Sequence, residues 1–272
     1  MTATTAQREF WRVGIGSGPE NYEHYFVPAI GRPLAERLVS EANLRPGDRV
    51  LDVACGTGIV ARLAAERVGA SGSVAGLDVN AGMLSVARSI AAAADAPIRW
   101  YETTAESIPL ADDTFDVVFC QLGLMFMADK DAAVREMRRV AVSGGRLLVT
   151  MPTPTPFFDV LHAAFEHHLP AGAPFVRAVF SLNDADEVER IFRHAGFEDP
   201  SVRREAVELH LPPPREFLWQ YVQSTPLAGL VAQAESEVLA ALERDVVTGW
   251  HTWARDGVVV HQQGMIVATA RK

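Results

Sequence analysis

The chain has 272 residues, 49% of them hydrophobic, with a formal net charge of −9, enough for one sizeable α/β core and a helical cover. The acidic balance, with no Lys/Arg cluster interleaved with aromatics, excludes a nucleic-acid surface, and no apolar run is long enough for membrane insertion. Two cysteines, Cys55 and Cys120, make no disulfide framework and fit a cytoplasmic setting, and the first dozen residues carry Arg8, Glu9 and Arg12 where a secretory signal would be apolar.

Residues 1–45 are expected to form an N-terminal helical flap. Leu34, Ala35, Leu38, Val39 and Ala42 recur at helical spacing until Pro46 and Gly47 stop them. Ahead of them Tyr22, His24, Tyr25 and Phe26 group polar-tipped aromatics that either fold over a ligand or pack on the core.

Val50 to Val53 is a short buried strand with an acid, Asp52, at its end. It runs into a turn with Gly56 and Gly58, then into a helix of Ile59, Val60, Leu63, Ala64 and Val68. Glycine bends the backbone and lets it approach a ligand, and the following helix aims free N–H groups into the turn. The spacing Gly56-x-Gly58-x-x-Ala61 also fits a dinucleotide fingerprint, with Asp78 near the place of its ribose acid, so an NAD(P)-dependent oxidoreductase is one reading. Asp52 beside the turn, with no Lys or Arg before Ala61, repels a diphosphate and suits a ligand with an ammonium tail and no phosphate, such as S-adenosyl-L-methionine.

Val74 to Asp78 is a second buried strand ending in an acid able to accept ribose hydroxyls, and Asn80 caps the next helix. Met83, in that helix's first turn, either touches an adenine or packs in the core. Ile98 to Glu102 alternates like a third strand. Phe115 to Cys120 is a continuous apolar run suited to a central parallel strand, which places Gln121 to Phe126 at its carboxyl end. Asp129 caps the helix through Val140, and Arg146 to Met151 is the fifth strand. Pro152, Pro154 and Pro156 then break the composition.

Beyond them, Phe157, Phe158, Leu161, Phe165 and Leu169 mark a helix, Asp184 or Asp186 opens another, and Val207 to Leu211 alternates as a strand. Pro214 starts a helix carrying Phe217, Leu218 and Tyr221, a long helix spans Leu230 to Val246, and Val258 to Val260 with Gly264 to Ala270 closes the sheet antiparallel. The expected divisions are therefore a core at 46–152 and a remainder at 153–272, with lid insertions at about 153–181 and 212–250.

Val50 to Gly58, the acid Asp78, the segment Ala105 to Leu110 and the stretch Cys120 to Leu124 resemble, in order, the motifs of class I S-adenosylmethionine-dependent methyltransferases. The resemblance is to the small-molecule branch that includes the ubiquinone/menaquinone-biosynthesis-type enzymes, and it covers residues 46 to 152. It implies a Rossmann-like, seven-stranded, mostly parallel sheet with an antiparallel last strand and a helical lid, S-adenosyl-L-methionine as cofactor and a small-molecule acceptor. The cofactor would lie among Tyr22 from the flap, Asp52, Ala54, Gly56 and Gly58 from the turn, Asp78, Val79 and Met83, then Ala105, Glu106 and Ser107 near the adenine, and Gln121. A non-catalytic protein that merely keeps S-adenosylmethionine satisfies the same motifs.

Methyl transfer needs alignment and water exclusion more than a conspicuous catalytic motif. Candidate bases are His162, flanked by Asp159 and Glu166 at helical spacing, and His24 in the flap. His167 and His168 are adjacent and lack metal-ligand spacing, so no metal is expected. Seventeen of the 22 Phe, Trp and Tyr residues lie outside 46–152, which either suits a lipophilic or ring-shaped acceptor or simply gives small helices a core.

Overall fold

Five parallel strands and an antiparallel pair build one sheet. The structure is a computed structural model and describes residues 18–91 and 97–272; the reading of the first dozen residues falls outside these. Strands β1 (Arg49–Val53), β2 (Ser73–Asp78), β3 (Ile98–Glu102), β4 (Phe115–Gln121) and β5 (Ala141–Pro152) lie parallel in the order β3-β2-β1-β4-β5. The sequence continues through β6 (Ser201–Leu211), β7 (Ala254–Arg255) and β8 (Val258–Arg271). Strand β8 runs antiparallel beside β5, and β6 runs antiparallel on its outer side. The expected seven-stranded, mostly parallel sheet is therefore present. Its last strand is one unbroken element, and the two residues of β7 fold back on it. Asp256 and Gly257, at φ 49° and 83°, form the two-residue turn, a geometry whose twist matches that of the flanking strands.

Helices α1 (Gly18–Asn21) and α2 (Arg32–Ala42) are joined by a π-helical stretch, Tyr22–Gly31, into one rod. Asn43 ends it in the left-handed region, at φ 49°, a conformation common just past a helix C-terminus. Next come α3 (Ile59–Val68), α4 (Ala81–Ile90) and α5 (Lys130–Val140). The rod buries Val27, Leu38 and Val39 with Val60, Leu63 and Val68 of α3 against one face of the sheet. On the other face α5 packs Val134 and Met137 with Ile191 and Phe192 of a later helix. This is the two-sided cover that makes apolar parallel strands stable.

A third core lies above the carboxyl ends of the strands. It is made by α6 (Pro156–His168) and α7 (Ala173–Val179), which follow β5, and by α9 (Pro214–Gln223), α10 (Leu227–Val231) and α11 (Ser236–Trp250), which follow β6. Helix α8 (Ala185–His194) lies between the two groups in sequence and belongs to the sheet's core. Trp250 stacks on Phe157 with ring centroids 4.4 Å apart and donates its indole N–H to the Phe157 carbonyl at 2.7 Å. A single helix from Leu230 to Val246 is not found. The end of α10 tightens into three-residue bonds, Gln233 N–H to the Leu230 carbonyl and Ala234 N–H to that of Val231. The chain then restarts at Ser236, with Leu242, Val246 and Trp250 turned into the third core.

Candidate functional site

The glycine turn after β1 and the start of the helix behind it are held by two carboxylates, one on each. Asp78 Oδ2 accepts from Gly56 N–H at 2.8 Å, and its Oδ1 accepts from Asn80 N–H at 2.9 Å. Asp52 Oδ2 accepts from Ala61 N–H at 3.1 Å, in the first turn of α3. These acids fill helix-terminal donors that would otherwise meet a ligand's phosphates. Burial pushes the Asp52 carboxyl up to about 8, against the pull of the Ala61 amide, with the charge of Asp78 adding to the rise. Asp78 is also raised by burial, and the Asn80 and Gly56 amides offset part of the shift.

The turn itself is forced by backbone geometry. Gly56 and Gly58 have φ of 54° and 86°, and Ala54, without glycine's freedom, sits at 55°. Leu122, just past β4, is likewise left-handed at φ 54°. A Cβ on the neighbouring Gly123 would come 2.6 Å from that of Ala54, so the loops after β1 and β4 meet. Strained residues of this sort persist where surrounding structure holds them, and they cluster at ligand clamps. Side chains close the turn from above. Tyr22 stacks on Phe26 at 4.6 Å, and burial, then the charges of Asp78 and Glu23, raise its phenol's pKa. Arg62 of α3 pairs with Glu23 at 2.6 Å and donates to the Thr57 carbonyl, tying the N-terminal rod to the turn.

A cavity of about 590 Å³ opens over these loops at the carboxyl ends of the strands. Nine residues singled out in the sequence line it: Tyr22, Ala54 and Gly56 at the turn, Asp78, Val79 and Met83 after β2, Ala105 and Glu106 after β3, and Gln121 at the end of β4. Asn80 caps α4 through the Met83 amide at 3.1 Å, as expected, and lines the cavity too. Glu106 is fixed by the Ala128 amide at 3.0 Å. Gln121 donates to the Gly31 carbonyl at 3.0 Å, which sets the direction of its amide, and leaves its Oε1 buried without a partner.

Five candidates lie outside the cavity wall. Asp52 is 1% exposed and sits beneath the turn, so its influence passes through the Ala61 amide and not through direct contact. Gly58 faces Trp100; a Cβ there would stand 2.4 Å from that ring. Ser107 is exposed, its carbonyl taken by the Thr103 hydroxyl. His162 lies toward Glu166 at 3.3 Å, on a carboxylate already shared with Arg177. His24 is exposed and edge-on to Tyr25 at 4.6 Å. Among the described residues no group of three or more side chains could hold a metal, and no helix is long and apolar enough to cross a membrane.

The sequence did not single out the far end of the cavity residue by residue. Phe26 and Ile30 of the rod, Phe158 of α6, Phe175 and Phe180 in and after α7, and Tyr221 of α9 form an apolar chamber there. Gln263 of β8 adds a polar patch. Its Oε1 lies 3.3 Å from the His261 ring, and its amide N–H groups go to the Thr153 and Gly264 carbonyls. Burial lowers the pKa of His261, which keeps that imidazole neutral behind the wall. The aromatic excess in the flanks was the available signal; which rings converge depended on how the two helical groups pack.

The sheet order, the acid-braced glycine turn and a cavity at the strands' carboxyl ends define the class I methyltransferase architecture. The phosphoethanolamine N-methyltransferase 2 of Haemonchus contortus, solved with S-adenosyl-L-methionine, superposes with a TM-score of 0.61 at 20% identity, over 94% of this chain and 57% of that one. The YcgJ protein of Bacillus subtilis superposes with a TM-score of 0.57 at 20% identity, over 88% and 97%. The chain belongs to the ubiE/COQ5 methyltransferase family, whose sequence model matches residues 30–205. The ubiquinone/menaquinone biosynthesis C-methyltransferase UbiE of Stenotrophomonas maltophilia is 47% identical over 122 residues, covering 44% of this chain and 48% of that protein. The chain thus spans about half the length of the curated relatives it matches.

Proposed function

We propose that this chain methylates a small lipophilic ring of the quinol type, with S-adenosyl-L-methionine as methyl donor. One observation carries the reading: a single cavity joins the acid-braced glycine turn to the aromatic chamber. The residues at the turn suit the donor. Asp78 is the acid for ribose hydroxyls, Glu106 stands where an adenine amino group can donate, and Val79, Met83 and Ala105 offer the apolar slot between them. When bound, the donor supplies an activated methyl group, whose carbon passes to the acceptor's nucleophilic atom while the C–S electron pair stays on sulfur.

This chain's part is positioning and exclusion of water. Tyr22 and Phe26 cover the turn, and Phe158, Phe175 and Phe180 give a flat ring a desolvated berth. The relatives' printed name, a C-methyltransferase of quinone biosynthesis, supports carbon as the methylated atom. Neither His162 nor His24 lines the cavity, so the proposed reaction relies on a ring already rich in electrons; the methylated carbon's own proton is then released to solvent as the ring regains its aromaticity, with no histidine base taking it. Against a nicotinamide enzyme stand the Gly56 and Ala61 amides, already taken by Asp78 and Asp52, because a diphosphate would need such donors.

The test pairs calorimetry with product analysis. S-adenosylhomocysteine is expected to bind, NAD(P) is not, and incubation of S-adenosyl-L-methionine with a reduced 1,4-naphthoquinone should add one methyl by mass spectrometry. Binding of NAD(P) with none of S-adenosylhomocysteine would overturn the proposal. Donor binding with no transfer to any ring tested would favour a non-catalytic protein.

A further inference from the structure

The cavity's charges are unevenly placed. Its carboxylates, Asp78, Glu106 and Asp129, follow β2, β3 and β4, around the proposed donor. The chamber walled by α6, α7 and α9 offers the Gln263 amide and the Tyr221 phenol, with Ser224 and Thr225 at the α9 end, whose hydroxyls are committed to backbone carbonyls. Gln263 is committed on both of its ends: its Oε1 faces His261, and its N–H groups are spent on two backbone carbonyls. Tyr221 is different. It lines the cavity, its ring is held by Phe158 at 5.7 Å, Phe217 at 5.9 Å and Phe26 at 6.4 Å, and its hydroxyl makes no hydrogen bond to another described residue.

We infer that Tyr221 is the residue that selects for an oxygen-bearing ring, donating its hydroxyl to an oxygen of the acceptor. Three observations converge on this role. First, the ring is packed on aromatics at several angles, so the hydroxyl points from a rigid platform and little entropy is lost when it is used. Second, a tyrosine phenol is protonated across the neutral range, and burial moves its ionisation further away, so it acts there as a donor. Third, it stands at the junction of the two ends of the cavity. Phe26 bridges the two ends, stacked on Tyr22 of the glycine turn at 4.6 Å and 6.4 Å from the Tyr221 ring. The elements carrying the two rings are stitched together: the Asn21 amide donates to the Gln223 carbonyl at 3.4 Å, and the Ser224 hydroxyl, 2.6 Å from the Gln220 carbonyl, stands 3.1 Å from the Asn21 carbonyl. A ring oxygen held by Tyr221 therefore sits at a fixed offset from the turn, so the choice of ring and the position methylated are set together. A site built to hydrogen-bond an oxygen also rejects analogues that lack it, since its own polar group is then left dry.

The inference rests on the methyltransferase reading, and its test separates the two. The protein is loaded with S-adenosylhomocysteine, and the binding of 1-naphthol and of naphthalene is compared by intrinsic tryptophan fluorescence. Wild type is expected to prefer 1-naphthol by about fivefold, the worth of one neutral hydrogen bond. Tyr221→Phe should bind both rings equally while holding S-adenosylhomocysteine as tightly as wild type. Tyr22→Phe should weaken S-adenosylhomocysteine and keep the preference for 1-naphthol. Retention of the preference in Tyr221→Phe, or its loss in Tyr22→Phe, would overturn the assignment with the methyltransferase reading intact. Failure of wild type to bind S-adenosylhomocysteine would bring down both.

Discussion

The two ends of the cavity are made in different ways. The glycine-turn end comes from successive strand ends and loops of one sheet: Ala54 and Gly56 after β1, Asp78 and Val79 at the end of β2, Ala105 and Glu106 after β3, Gln121 at the end of β4. Its carboxylates are tied to backbone amides. The aromatic end draws on residues from Phe26 to Gln263, brought together by helices that share a core of their own. The first end is therefore rigid and chemically explicit, whereas the second is shaped by side-chain volume. Fixed strand ends can bind one constant ligand, and rings on helices can be exchanged to fit another acceptor without disturbing the sheet.

The sharpest break in this comparison should come from Gly58. At φ 86°, with Trp100 occupying the space of a Cβ, Gly58→Ala combines left-handed strain with overpacking. It is expected to cost about 2–4 kcal/mol of unfolding free energy in a urea titration. Asp78→Ala removes the acceptor shared by the Gly56 and Asn80 amides. It should weaken S-adenosylhomocysteine by about 1.5–3 kcal/mol by calorimetry; unchanged affinity would mean the ribose is misplaced. Phe180→Ala trims the half-buried ring 5.4 Å from Phe158. It should raise the KM for a ring acceptor about tenfold, near 1.4 kcal/mol, and leave donor affinity alone. A parallel loss of donor affinity would show that the two ends are not separable.

The last effect concerns pH. The folded carboxyl of Asp52 is raised from 3.8 to about 8, so the native state holds that proton more tightly than the unfolded chain does. Stability of the ligand-free protein should then fall as pH rises from about 4 to 8, where the buried acid is forced to ionise, and level off above. Asp52→Asn keeps an oxygen for the Ala61 amide and removes the ionisation. Its melting temperature should exceed that of wild type at pH 8.5 by at least about 2–4 °C, and the gap should close at pH 4.5. An equal gap at both pH values would show that Asp52 does not titrate in this window.

The strand–turn–helix at Val50 to Val68, the capping Asn80 and the apolar fourth strand were legible because each is a local pattern: a period, a cap, a residue type demanded by backbone geometry. The same locality made Asp52 look like a cavity residue. Its position at a strand end could be read, but the side on which its carboxyl emerges depends on α3 docking over it. Gly58 is similar, since only the register of β3 puts Trp100 against it. The break between Val231 and Ser236 escaped notice because apolar spacing continues through it.

Family, sheet type and the acids bracing the glycine turn were thus legible in the sequence alone, for a physical reason: motifs within a few residues of one another are fixed by covalent distance. Which rings face one another, which histidines stay outside, and where the unpartnered Tyr221 hydroxyl stands were decided by packing between segments up to two hundred residues apart. No local rule encodes that convergence, because it comes from the helices' shared need to bury apolar surface against one another.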